Sequence, residues 1–127
     1  MAPTSSTQVV ESLFAALVAN DVTGANALLA DDVAWLNTGL PTVRGRGVRR
    51  ILAALPKLRV RFDAVDHVIT HQIDGSVRFD RRDTLSWGPF STTFFVSGTF
   101  EVRDGKVRRW DDRYRMGEVL GGLFRRR

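Results

Sequence analysis

Val77-Arg78-Phe79-Asp80-Arg81-Arg82-Asp83-Thr84-Leu85 alternates in a way that only a β-strand uses. Side chains point to opposite faces along a strand, so Val77, Phe79, Arg81, Asp83 and Leu85 share one face. That face begins and ends apolar, which marks it as the core side, and its middle turns an arginine and an aspartate inward. The other face, Arg78, Asp80, Arg82 and Thr84, is wholly polar and reads as solvent-facing. A second segment repeats the pattern: Trp110, Asp112, Tyr114 and Met116 share a face, with Asp112 among aromatic and apolar side chains. Asp111, one residue out of phase, is expected to face outward with Arg109 and Arg113.

Burying an ion costs several kcal/mol, so inward charges are expected to meet one another. The economical reading places Arg81, Asp83 and Asp112 in one pocket. Arg81 and Asp83 alone could be a structural ion pair; Asp112 on a second core-facing strand shifts the balance. One arginine cannot neutralise two carboxylates, so one carboxyl is expected to hold a proton near neutral pH. A site with a carboxylate and a carboxylic acid offers a base and an acid together.

Around these strands the chain reads as α+β. Val9, Val10, Leu13, Phe14, Leu17 and Val18 recur at helical spacing over residues 7–19, after a Thr/Ser-rich start that can cap a helix. A short second helix is predicted from Thr23 to Leu29. Asp31-Asp32 follows, and then a strand from Val33 to Asn37 on which Trp35 and Asn37 share a face. Thr38-Gly39-Leu40-Pro41 is predicted as a loop and Arg44-Gly45-Arg46-Gly47 as a turn. A third helix, Val48 to Ala54, should stop before Pro56. Four strands are expected at 58–72, 76–87, 91–103 and 106–116. Asp74-Gly75 and Asp104-Gly105 are hairpin signals, Trp87-Gly88-Pro89 joins the middle pair, and a short helix is expected from Gly117 to Phe124. Three helices on one face of a curved, mostly antiparallel sheet make a cone, and such a cone encloses a small-molecule pocket.

Composition narrows the possibilities. A chain of 127 residues suits one domain with one core, here spanning 1–127. It has no cysteine, which removes disulfides, thiolate metal sites and cysteine nucleophiles and fits a cytoplasmic location. No apolar run approaches the ~20 residues of a membrane span. Met1 to Ser6 lacks a basic stretch leading into an apolar one, so no signal peptide is expected. The net charge of +5 is scattered and includes the terminal Arg125-Arg126-Arg127, without the basic stripe and interleaved aromatics of a nucleic-acid surface. His67 and His71 are four apart on a predicted strand, so they read as surface or rim histidines rather than metal ligands. Arg44-Gly45-Arg46-Gly47 lacks the lysine–hydroxyl pair of a phosphate loop.

The order of Asn37, Leu40-Pro41, Arg81-x-Asp83 and Trp110-x-Asp112 resembles the limonene-1,2-epoxide hydrolase family within the cone-shaped NTF2-like/SnoaL-like folds. The resemblance is densest in Ala30 to Asn37, in Arg44-Gly45-Arg46, in Asp80 to Leu85 and in Gly105 to Asp112. It implies Asp112 as the general base that deprotonates water and Asp83 as the acid that protonates the epoxide oxygen. Arg81 would bridge the two, and Asn37 would hold the water. It implies one-step opening of a small apolar epoxide without cofactor or metal, by a homodimer. Trp35 stands at the family's tyrosine position; its N–H can donate to a water but cannot accept, and its bulk can crowd the pocket. Leu40, Phe79, Leu85, Phe94, Tyr114 and Met116 are the expected substrate walls.

Two other readings stay open at this point. A cyclase or isomerase on the same cone could move a proton with either aspartate. A non-catalytic ligand-binding or dimerisation module would instead turn Asp83 and Asp112 away from each other.

Overall fold

The computed structural model describes residues 5–123. Helix α1 (Ser6–Val18) starts where Ser5 and Gln8 form a reciprocal cap: Ser5 Oγ accepts from the Gln8 amide at 3.2 Å, and Gln8 Oε1 accepts from the Ser5 amide at 3.0 Å. Its apolar stripe, Val9, Val10, Leu13 and Phe14, is buried. Asn20, at a φ of 61°, ends the run, and Asp21 caps α2 (Val22–Ala27) by accepting from the Gly24 amide at 2.9 Å. Helix α3 (Arg46–Lys57) buries Val48 and Leu52.

A six-stranded sheet runs in the order β2-β1-β6-β5-β4-β3. The strands are β1 (Leu29–Asn37), β2 (Val43–Arg44), β3 (Arg61–His71), β4 (Val77–Trp87), β5 (Phe90–Arg103) and β6 (Lys106–Arg113). Among the described strands only β1 and β6 run parallel; the other neighbours are antiparallel. The β5–β6 hairpin turns on Asp104 and Gly105, at φ values of 53° and 76°, the paired positive φ of a two-residue turn. Helix α4 (Met116–Leu123) packs against β5, where Thr92 Oγ1 donates to the Val119 carbonyl at 2.8 Å.

Several boundaries differ from the expectations. First, β1 begins at Leu29 and carries Asp31 and Asp32 within it, both exposed. Its register against β6 shifts between Leu29 and Ala34, and that irregular stretch lets the two carboxylates reach water inside a strand. Second, Val43 and Arg44 pair with Trp35 and Ala34, so the predicted turn opens with a short strand. Third, α3 continues through Pro56. Proline gives up only its own amide, and the Leu58 amide still closes the last turn on the Ala54 carbonyl at 2.9 Å. Fourth, Arg59 at a φ of 61° delays β3 to Arg61, and β6 stops at Arg113, short of Tyr114 and Met116.

The core lies between α1 and the sheet. Phe14 makes edge contacts with Phe79, Phe100 and Trp110 at centroid distances of 4.6, 5.7 and 5.9 Å. Among the described residues no helix is long and apolar enough to cross a membrane.

Candidate active site

Alternation along β4 turns Val77, Phe79, Arg81 and Asp83 inward, and all four are buried. Strand β5 lies between β4 and β6 and brings Asp112 to the same depth. Phe79 and Asp112 both pair with Gly98, one from each side. Arg81 therefore reaches across β5 to Asp112. Its Nη1 and Nη2 donate to Asp112 Oδ1 and Oδ2 at 3.0 and 3.1 Å. Its Nε and Nη2 donate to Asp83 Oδ1 and Oδ2 at 3.0 and 3.1 Å. A further Nη1 bond to the Phe79 carbonyl, at 3.5 Å, occupies the fifth N–H of the guanidinium. Two bidentate forks on one cation fix both carboxyl planes.

Arg81 is 1% exposed, and Asp83 and Asp112 are 5% exposed each. The guanidinium also sits 4.5 Å from the centroid of the Phe14 ring, so an aromatic face backs the cation. Burial pushes the Asp83 carboxyl up from its ordinary 3.8 to about 6; Arg81 opposes that rise and the Asp112 charge adds to it. Arg81 itself is held above its ordinary value: burial acts to lower it, but the two carboxylates outweigh that. The arginine stays charged, and the protonation that changes near neutrality is on a carboxyl.

Gly98 makes the arrangement possible. A Cβ there would lie 2.6 Å from Arg81 Nη1 and 3.0 Å from Asp112 Oδ1. The sequence reading passed over this residue, although an isolated glycine inside a strand is a signal of close approach.

The triad opens into a cavity of about 490 Å³ walled mainly by apolar side chains. Trp35, Asn37, Leu40, Leu85, Phe94 and Tyr114 line it. Phe79 does not. It lies in the aromatic core behind Arg81, covered by Phe14, because a shared strand face does not fix depth within the cone. The side chain of Met116 lies outside the described set, as does Phe124. Further walls come from α1, α3, the start of β3 and the middle of β5, among them Leu17, Leu52, Leu55, Phe62 and Val96.

Trp35 stacks on Trp110 at 4.4 Å with an interplanar angle of 20°. Its Nε1 is buried and has no hydrogen-bond partner among the described residues. Asn37 pairs with Asp112 in the parallel β1–β6 register, both line the cavity, and Asn37 Oδ1 accepts from the Tyr114 hydroxyl at 3.2 Å. Asp111 is on the opposite face, 3.8 Å from both Arg109 and Arg113. His67 is exposed at the β3 bulge, its Nε2 bonded to the Ala64 carbonyl and its ring against Phe79.

Residues 4–125 match the limonene-1,2-epoxide hydrolase catalytic domain. The chain belongs to the limonene-1,2-epoxide hydrolase family. It is 35% identical over 119 residues to epoxide hydrolase EphG of Mycobacterium tuberculosis, a match that covers 91% of this chain and 77% of that protein. The structure of a limonene-1,2-epoxide hydrolase-like epoxide hydrolase from M. tuberculosis superposes with a TM-score of 0.85 at 32% identity, over 93% of this chain and 88% of that one. A proposed polyketide cyclase from Xanthomonas campestris pv. campestris superposes with a TM-score of 0.81 at 24% identity, over 93% and 96% of the two chains, and shares the fold. This family member is an epoxide hydrolase-like enzyme built on the NTF2-like α+β fold.

Proposed function

We propose that this family member hydrolyses an epoxide to a vicinal diol in one step, with Asp112 as base, Asp83 as acid and Arg81 as the bridge between them. Asp112 takes a proton from a water held by Asn37 as the water oxygen bonds to an epoxide carbon. The carbon–oxygen bond of the ring breaks, and the leaving oxygen takes the proton of Asp83. Asp83 ends ionised and Asp112 protonated, so the charge of the site is unchanged and proton exchange with solvent resets it. Arg81 keeps its charge throughout and holds both carboxyl groups in position. No covalent enzyme intermediate is formed.

The observation that carries this reading is the double fork of Arg81 on two buried carboxyls at the wall of an apolar cavity. The raised Asp83 carboxyl supports its role as acid, because a proton donor must hold its proton until the transition state. The cavity's apolar walls favour a lipophilic epoxide. Trp35 supplies wall rather than a donor in this reading, since its N–H is out of contact with solvent.

A panel of cyclic and open-chain epoxides, turned over once in labelled water, tests the reaction. Diol carrying one label on the attacked carbon is the expected product. If no epoxide is opened, the same carboxyl pair is better assigned to proton transfer in a cyclase or isomerase.

A further inference from the structure

The hydroxyl of Tyr114 is a polar group at the cavity wall to which the acid, base and bridge give no role. Its position is fixed from several sides. The Tyr114 amide donates to Thr38 Oγ1 at 3.1 Å, and the Thr38 amide donates to the Asp112 carbonyl at 3.2 Å, so the loop after β1 is tied to the end of β6. The phenol ring packs against Phe94 at a centroid distance of 5.4 Å. The hydroxyl then gives its hydrogen to Asn37 Oδ1 at 3.2 Å. Tyr114, Asn37 and Asp112 line one cavity.

These bonds decide what each group can still offer. With its hydrogen committed, Tyr114 Oη presents lone pairs to the cavity. With its oxygen engaged, Asn37 has its NH₂ group left to donate. A nucleophilic water has four positions to satisfy: one hydrogen goes to the base, and one lone pair must remain free for carbon. The other hydrogen needs an acceptor and the other lone pair a donor. Trp35 can supply neither, since its Nε1 is out of contact with solvent.

We infer that Tyr114 is a water-positioning residue, whose hydroxyl holds the Asn37 amide in place and accepts the second hydrogen of the nucleophilic water. Asn37 then donates to one lone pair, Asp112 takes the first hydrogen, and the remaining lone pair faces the epoxide. The assignment rests on the epoxide-opening reading proposed above. The Asp112 charge is close enough to reach the phenol and, after burial, contributes to holding its titration above the ordinary 10.0.

Tyr114→Phe removes the hydroxyl and keeps the ring that packs on Phe94. On an epoxide the parent opens, kcat should fall between about 10-fold and about 100-fold, the scale of a misplaced reactant, with KM little changed. Asn37→Ala should be slow as well, and the double variant no slower than Asn37→Ala alone, because the two groups act on one water. Parent-like kcat in Tyr114→Phe, or losses that add in full in the double variant, would overturn the inference. A parent that opens no epoxide marks a failure of the reaction assignment instead. In that case the network is judged by ultraviolet titration of the phenol, which reads Tyr114 alone because the chain has one tyrosine. Its midpoint should lie above 10.0 in the parent and drop in both Asp112→Asn and Asn37→Ala. A midpoint that neither substitution moves would show that the hydroxyl belongs to no such network.

Discussion

Asp83 and Asp112 contact the same guanidinium, yet the two carboxyls are unequal in surroundings. Asp112 stands opposite Asn37 at the β1–β6 junction, whereas Asp83 sits on β4 between Leu85 and the aromatic core. Asp112→Asn cannot take a proton, and Asp83→Asn has no acidic proton to give, while either amide can still accept a hydrogen bond from Arg81. Each variant should remain folded and lose at least ~100-fold in epoxide turnover, the lower range for acid–base catalysis. Circular dichroism establishes the fold and single-turnover assays the rate; near-parent turnover by either folded variant removes its assigned role.

Trp35 is a contrasting residue. A buried indole N–H without a partner and a face stacked on Trp110 describe a packing side chain. Trp35→Phe should therefore retain kcat within a few-fold, with any effect appearing in KM as the wall recedes. Trp35→Tyr should retain or raise kcat. A selective collapse of kcat in the Phe variant, with the Tyr variant unaffected, would return the indole to the water.

At the scale of the element, β5 matters more than its plain sequence suggests. It contributes no charge to the site, but it separates Arg81 from Asp112, and Gly98 leaves the gap through which they meet. Gly98→Ala would drive a methyl group against the guanidinium and the Asp112 carboxylate, both fixed by their forks. The expected result is a loss of at least about 1–3 kcal/mol in unfolding free energy, the usual scale for overpacking, together with loss of turnover. Gly98→Ala with parent stability and parent turnover would show that the strand can shift to make room. The approximate extents of β4 and β5 and the turn between them are readable from the sequence; the role of Gly98 is not, because it depends on side chains that arrive from the two neighbouring strands.

For the whole molecule, the raised Asp83 carboxyl links stability and activity to pH. The folded form binds this proton more tightly than the unfolded chain does. The stabilisation is therefore fully present below about 3.8 and is lost as pH rises through about 6. The swing between those limits is on the order of 3 kcal/mol. Denaturant unfolding of the parent at several pH values across that window should show this decline, and Asp83→Asn should flatten it. An equal slope in both proteins would mean that other groups dominate. Catalysis follows the same proton: kcat/KM should fall as pH rises above about 6 and the acid form of Asp83 is depleted. A rate that climbs steadily through that range contradicts Asp83 as the acid.

Local pattern is enough to identify the five longer strands, the inward faces of β1, β4 and β6, the hairpin turns and the first helix, because alternation, helical periodicity and turn chemistry act over a few residues. It also placed Arg81, Asp83 and Asp112 on core-facing sides, since lone charges are too costly to bury apart. Depth and neighbours are another matter. Phe79 shares a face with Arg81 but is sealed behind it by Phe14, and the short β2 exists because β1 offers it an edge. The Tyr114–Asn37 bond joins residues 77 positions apart, past the end of one strand and at the end of another. Such contacts are set by how the sheet curves and which strands become neighbours, and they come into being only when the chain has closed around its cavity.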